Sequence, residues 1–391
     1  MPVRRPPDRK QRIAAAATAL FSERGFRNVS VADVAEAVGI TAPAVYRHFR
    51  NKQALLAYVV RTGLDAMERA GREADGLEPL LQAVIALVFE QRGLATLWQR
   101  EARHLPEEER DELRRHLADI TGRYAELIRA DRPELSTADG ELLAGAMIAV
   151  PASLAGHRFT LPRRRLEALL HRLTSAVVHC DLGPGDGLSE GAPVPAAATT
   201  PATPTAFAVP RREQMLTEAI RLFDERGFQS VSTDDIGEAV GTSGPNVYKH
   251  FPSKTDLLVA GVVRGGERRE SGTAQALARG ATPRGTLDLL LRAYIGFALE
   301  NSHLLGLLLS ELDQLPEQRR KSSVQVQRDF LALWVTVLDQ AAPGLDPIEA
   351  KITVCAVFNV VDSVARSGHP QRSAGLGDRL FAIGTALLLT R

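Results

Sequence analysis

From Arg9 to Arg24, Ile13, Ala17, Leu20 and Phe21 recur at helical spacing with charges between them, and the pattern stops at Gly25. Ser30 then precedes VADVAEAV with Asp33 three residues on, a capping-box start, and Val31, Val34, Ala35 and Val38 form an apolar stripe. Gly39 suits a left-handed cap at its end. Thr41 is placed to cap a second short helix, APAVYRHF, in which Pro43 falls in the tolerant first turn. Two short helices joined by a glycine-containing turn predict a helix-turn-helix. Longer apolar-periodic stretches follow at Leu80 to Trp98, Ala138 to Ala155, Thr286 to Leu309 and Ile352 to Val364, which predict helical bundles. The fold class expected is all-α.

The pattern occurs twice. Leu20 to Leu56 aligns without a gap on Leu222 to Leu258, at an offset of 202 residues and with 21 of 37 positions identical. Each local device recurs: Ser232 with Asp235, then Gly241, Ser243 and Pro245. Further on, Glu101, Leu105 and Pro106 return as Glu311, Leu315 and Pro316, so the duplicated unit is a half-chain. Residues 182–210 are rich in Pro, Ala, Gly and Thr with no amphipathic period, and read as a linker with a flexible reach of roughly 30 Å. The expected domains are 9–69 and 211–271 as helix-turn-helix units, and 70–181 and 272–391 as helical regulatory units.

Within the second short helix, Val45 and Phe49 lie four apart and read as core, while Tyr46, Arg47 and His48 lie off that face. Its first residues, Thr41 to Ala44, are small enough for close approach to base edges. A helix entering a major groove needs small residues at its tip and donors on its flank. The next helix opens with Asn51 as cap and Lys52 in its first turn, where the macrodipole disfavours a cation. Lys254 repeats the oddity, and a phosphate held there would resolve it, the alternative being a solvated lysine that happens to recur.

The segments ALFSERGF, VADVAEAVG and TAPAVYRHFRNKQALL resemble the tetracycline-repressor (TetR) family of bacterial regulators over residues 9–69 and 211–271. The resemblance implies a three-helix DNA-binding domain followed by a helical regulatory domain, twice. It implies Thr41, Ala42, Pro43 and Ala44 near bases, with Tyr46, His48 and Lys52 on phosphates. In the second copy it implies Ser243, Gly244 and Asn246 near bases, with Tyr248, His250 and Lys254 on phosphates and Lys249 on the flank, as Arg47 is in the first. The expected partners are an operator in double-stranded DNA and a small apolar or amphipathic effector that releases a repressor. Pocket candidates, each with an ordinary core or surface role as the alternative, are Trp98, Glu101, Tyr124 and His157 in the first half, and Tyr294, His303, Asn359 and Asp362 in the second. Family members ordinarily carry one module per chain and homodimerise. Here the two halves are expected to pair within the chain, with a homodimer of whole chains as the alternative.

Composition changes this picture in two places. The net charge is only +1, yet Met1 to Arg61 holds eleven basic against four acidic residues, whereas Arg211 to Arg264 holds seven against eight. The first module therefore suits a polyanion better, and the second is a candidate for assembly instead of DNA binding. Cys180 and Cys355 lie in apolar surroundings without CxxC spacing, so free buried thiols are expected, with no metal and no cofactor. No nucleophile elbow, HExxH, P-loop or Rossmann fingerprint is present, which argues against an enzyme. The basic N-terminus lacks a following apolar run, and apolar runs such as Leu380 to Leu389 are too short for a bilayer, so a cytoplasmic, nucleoid-associated protein is expected.

Overall fold

The computed structural model describes residues 9–91, 93–155, 159–183, 209–367 and 375–391, and every regular element among them is a helix. The first copy runs through α1 (Arg9–Arg24), α2 (Val31–Ala37), α3 (Ala42–Tyr46), α4 (Lys52–Glu73), α5 (Leu77–Glu90), α6 (Leu94–Thr96), α7 (Glu107–Asp131), α8 (Thr137–Ala152) and α9 (Arg163–Val178). The second repeats that order as α10 (Arg211–Arg226), α11 (Thr233–Ala239), α12 (Gly244–Val247), α13 (Lys254–Arg279), α14 (Pro283–Glu300), α15 (Ser302–Ser310), α16 (Glu317–Ala341), α17 (Pro347–Arg366) and α18 (Leu376–Leu389). Two of the long apolar stretches are each divided between two helices. Gly93, at φ +102°, separates α5 from α6, and Asn301 separates α14 from α15. Most of the 182–210 linker, including its GPGDG run, lies outside the described residues. No single helix among those described is long and apolar enough to cross a membrane. Cys180 and Cys355 are both buried.

Packing separates the chain into two compact bodies: Met1–Leu135 with Pro151–Thr174, and Ser136–Val150 with Ser175–Arg391. In the first body α1 packs on α2 and α4, and the long α4 continues into the regulatory part, where it lies along α7. The close approach of α4 to α7 requires Gly71, since a Cβ there would come within 2.6 Å of Tyr124 Cε1. The Tyr124 hydroxyl donates to Met67 O across 2.7 Å, and the ring is fully buried. Tyr124 is thus a strut between two helices with its polar atom satisfied.

In the second body α14 is central, packed by α13, α16, α17 and α18. The segment 136–150 of α8 belongs to this body. Ser136 and Asp139 form its N-terminal cap, with Asp139 N donating to Ser136 Oγ at 3.0 Å. The same Asp139 lies 2.6 Å from Arg379 Nε on α18, and both side chains are almost fully buried. Arg379 also donates to Leu182 O at 3.0 Å, and Asn359 Nδ2 on α17 donates to Ala149 O at 2.7 Å. Asn359, expected in a pocket, instead ties two helix backbones together.

Removing one member of a buried ion pair strands the other in low dielectric, at a cost of about 3–5 kcal/mol. Asp139→Asn, which keeps a cap for α8, should lower the urea midpoint of the body containing α18. Asp139→Asn with Arg379→Met should regain much of the loss. Equal midpoints for wild type and Asp139→Asn would show that the pair carries no stability.

Candidate nucleic-acid interface

The helix-turn-helix of each copy rests on α1 or α10. Ile13, Ala17 and Phe21 are buried in the first, as Met215, Ala219 and Phe223 are in the second. The capping boxes form as expected: Ser30 N donates to Asp33 Oδ2 at 2.6 Å, and Ser232 N to Asp235 Oδ2 at 2.6 Å. Both second-helix turns pass through glycines in the left-handed region, Gly39 at φ +70° and Gly241 at φ +68°. Thr41 and Ser243 occupy the N-cap positions of α3 and α12, but neither side chain makes a capping bond. Their exposed hydroxyls are left for other acceptors at the helix tips.

Behind those tips Val45 and Phe49 are buried, as are Val247 and Phe251, so the recognition helices are anchored on one face. The opposite face carries Tyr46, Arg47 and His48 in the first copy and Tyr248, Lys249 and His250 in the second, all exposed. Tyr46 and Tyr248 are each 52% exposed, a large aromatic surface for residues with no burial to offset it. Thr233 Oγ1 donates to the Tyr248 hydroxyl at 3.3 Å, which orients that ring. Pro43 is exposed, while Ala42 and Ala44 are half-buried. Asn246 is half-buried and donates to Thr242 Oγ1 at 2.9 Å.

Two residues expected on phosphates have other neighbours here. Lys52 and Lys254 do not project from the helix start; they fold inward. Lys254 Nζ donates to Phe228 O and Val231 O, each at 2.9 Å, and lies 4.4 Å from the Phe228 ring centroid. Lys52 Nζ lies 4.2 Å from the Phe26 centroid, and burial pushes its ammonium below the usual lysine range. Two loop carbonyls and an aromatic face for Lys254, and an aromatic face for Lys52, offset the unfavourable dipole. Gly244 is likewise buried, since a Cβ there would collide with the Asp234 carboxylate on α11. The first copy has Ala42 and Ala32 at the matching positions, a small pair in place of Asp with Gly.

The buried glutamates lie at the junction of the two domains of each copy. Glu311 accepts from the Phe228 amide at 3.2 Å, and Glu101 is bonded by the backbone of Phe26 while burial raises its carboxyl pKa. His104 stacks on Phe26 at 5.5 Å, and burial drives its imidazole down to about 3. His303 also sits at this junction: its Nδ1 is 2.9 Å from Asp224 Oδ2 on α10, and Arg366 Nη2 is 3.3 Å from Asp224 Oδ1. Hydrogen bonding to Asp224 raises the His303 pKa. Trp98 is half-buried in the π-turn Leu97–Glu101, and His157 lies outside the described residues. Only Tyr294 and Asp362, among the described candidates, meet as a pocket pair would, the Tyr294 hydroxyl donating to Asp362 Oδ1 at 2.7 Å.

Two cations at the rear of the recognition helices escaped the sequence reading. Lys10 Nζ lies 5.5 Å from the Phe49 centroid, and Arg212 Cζ lies 4.5 Å from Phe251. They are separated by the same 202 residues as the repeat, but fall before the stretch where identity is dense.

A paired short-helix unit with an anchored rear face and an exposed Tyr–basic–His face, repeated and joined to helical bundles, defines a helix-turn-helix DNA-binding regulator. The model of the bacterial regulatory proteins of the tetR family matches residues 13–59 and 215–260. The transcriptional activator FasR of Mycolicibacterium smegmatis is 31% identical over 154 residues, 39% of this chain and 70% of that protein. The transcriptional repressor KstR2 of Rhodococcus jostii is 33% identical over 102 residues, 24% of this chain and 50% of that protein. Among solved structures, the TetR-family regulator PfmR of Thermus thermophilus superposes with a TM-score of 0.40 at 21% identity, covering 47% of this chain and 97% of that one. The chain belongs to the TetR family, with the family's DNA-binding module in tandem. It is a transcriptional regulator and not an enzyme.

The Asp234–Gly244 contact makes a sharp test of the second module. Gly244→Ala should destabilise it by about 1–3 kcal/mol through overpacking. Adding Asp234→Ala, which recreates the small pair of the first copy, should restore the thermal midpoint. If the double variant is no more stable than Gly244→Ala, the clash with Asp234 is not the reason for glycine.

Proposed function

We propose that the chain is a repressor released by a small-molecule effector, and that its two halves pair within one chain on a single operator. The observation that carries the release is the junction in each copy. A buried glutamate on the regulatory side holds the amide of the corner after the first DNA-binding helix, Glu311 on Phe228 and Glu101 on Phe26. A ligand that shifts the glutamate-bearing segment, α15 or the turn after α6, moves that corner and with it the recognition helix. Intrachain pairing is supported by the buried Asp139–Arg379 bridge and the Asn359–Ala149 bond, which join helices 210 or more residues apart in sequence. A tether reaching some tens of Å gives an effective concentration on the order of millimolar for the intrachain partner.

On DNA, Thr41, Pro43 and Ala44 at the first tip, and Ser243 and Asn246 at the second, would face base edges. Tyr46, Arg47 and His48, with Tyr248, Lys249 and His250, would flank them along the phosphates. The tips differ, so the operator would have two unlike half-sites. A second reading, in which the second module serves assembly, is favoured by Asp234, an exposed carboxylate packed beside the tip of α12. A negative charge there would meet the phosphates of any duplex.

Binding-site selection with the purified chain, followed by light scattering at micromolar concentration, tests both. A mass near the 42.4 kDa of one chain and a non-palindromic site support intrachain pairing. A stable doubled mass with a palindromic site overturns it, and no preference for any duplex overturns the operator. Tyr46→Ala should cost more affinity than Tyr248→Ala, because the first module holds the larger positive charge. Equal losses would count against unequal modules.

A further inference from the structure

The two regulatory cores differ at matching positions in a way the repeat does not require. In the second half Arg269, Tyr294, Phe330, Trp334, Phe358 and Asp362 stand where the first has Met67, Val84, Ile120, Tyr124, Ile148 and Ala152. The second core is thus an aromatic cage with a cation and a carboxyl. Tyr294 and Phe358 have centroids 4.6 Å apart, Phe330 and Phe358 are stacked at 5.3 Å, and Trp334 meets Phe358 edge-on at 5.0 Å. Arg269 on α13 lies over the Phe330 ring, its Cζ 4.3 Å from the centroid.

Two donors in this cage have no acceptor among the described residues. Trp334 is fully buried with its indole Nε1 unpartnered, and the buried Arg269 Nε is also unpartnered. The counterpart of Trp334 in the first half, Tyr124, satisfies its hydroxyl on Met67 O. A buried donor left unmade is costly, so a core that keeps two of them beside stacked rings is organised for an acceptor from outside. One donor is cationic, which selects an anion, and a bidentate-capable guanidinium selects a carboxylate or its like. The rings select a flat apolar body. Phe358, the ring the other three share, is half-buried and sits one turn before Asp362 on α17.

We propose that the effector site of this chain lies in the second regulatory core alone, and that it takes an aromatic carboxylate. The acid group is held by Arg269 and the Trp334 indole, and the ring is caged by Phe330, Phe358 and Tyr294. This rests on the effector-release reading above but goes further, in allotting one ligand to each chain and naming its chemistry. The carboxyl of Asp362, faced by Tyr294, Arg269 and Arg366, is pushed up to about 7 by burial. Below neutrality it is therefore protonated and leaves the Arg269 charge to the ligand. Above neutrality it competes for that charge, so binding weakens as pH rises from about 6 to about 8.

Calorimetric titration of the full chain with benzoate and 1-naphthoate, beside toluene and cyclohexanecarboxylate, tests this. Expected are one saturable site per chain for an aryl acid, weaker binding by the two uncharged or non-aromatic probes, and tighter binding at the acidic end of that pH range than at the basic end. Arg269→Met installs the first-half residue, and Trp334→Phe keeps the ring while removing the donor; each should weaken binding about tenfold or more with the thermal midpoint of the free protein retained. If Arg269→Met lowers that midpoint, Arg269→Lys, which keeps the charge, should retain part of the affinity. Two sites per chain, equal affinity for toluene, no saturable binding by either aryl acid, or affinity untouched by the three variants would each overturn the proposal. Operator release is read separately by fluorescence anisotropy. Aryl-acid binding without release overturns the release reading and leaves the site standing, whereas release by another ligand unaffected by Arg269→Met does the reverse.

Discussion

The bond that ties the two domains of each copy together is a backbone amide held by a buried carboxylate. Glu311 is almost completely buried, yet it is one of the most costly groups to remove from water. It is retained because it receives the Phe228 amide at the corner where α10 ends. That corner begins at a glycine in the left-handed region, and its aromatic ring packs on Phe223 at 5.2 Å. Lys254 reaches back from the start of α13 to two carbonyls of the same loop. The loop after α10, the start of α13 and the regulatory Glu311 are thus joined at one point of few residues. A rigid joint of this kind transmits displacement, where a purely apolar contact would let one domain slide over the other.

Duplication has preserved this joint and released nearly everything around it. The glutamate, the glycine–phenylalanine corner and the lysine recur in both copies. Beside them the second copy adds Asp224 with His303 and Arg366, where the first has Ser22 and Gly93 at the positions of Asp224 and His303. The additional charges hold α10 against α15 and α17 within the second body. A similar divergence marks the recognition tips, where Ala32 with Ala42 in one copy is answered by Asp234 with Gly244 in the other. Each pair conserves total volume at the crossing of two short helices, because close-packed helices tolerate exchange between partners better than a change in one.

Much of the local structure was legible in the sequence, because it is decided over three or four residues. The capping boxes at Ser30 and Ser232, the left-handed Gly39 and Gly241, and the buried stripe of Val45 and Phe49 all follow from short-range sterics and periodicity. The repeat made the family and its all-helical class plain, since two copies test each other. The exposed Tyr–basic–His face was readable for the same reason: it lies off the apolar stripe of a short helix.

What tertiary structure alone decided is where long side chains end. Lys52 and Lys254 were read from their position at a helix start, but a lysine spans several ångströms, and the loop carbonyls that capture Lys254 come from more than twenty residues earlier. Glu101, Tyr124, His303 and Asn359 looked alike as polar residues among apolar ones. Sequence spacing gives no distance between helices, so nothing in it separates a residue that bonds Met67 O or Ala149 O from one that faces a ligand. Asp139 with Arg379 was equally hidden, each appearing as an ordinary charge near a helix start. The sequence by itself determined the modules, their helices and the faces they expose, because those depend on neighbours along the chain. The tertiary structure decided which buried polar groups are satisfied by the protein itself, because that depends on partners brought close only by folding.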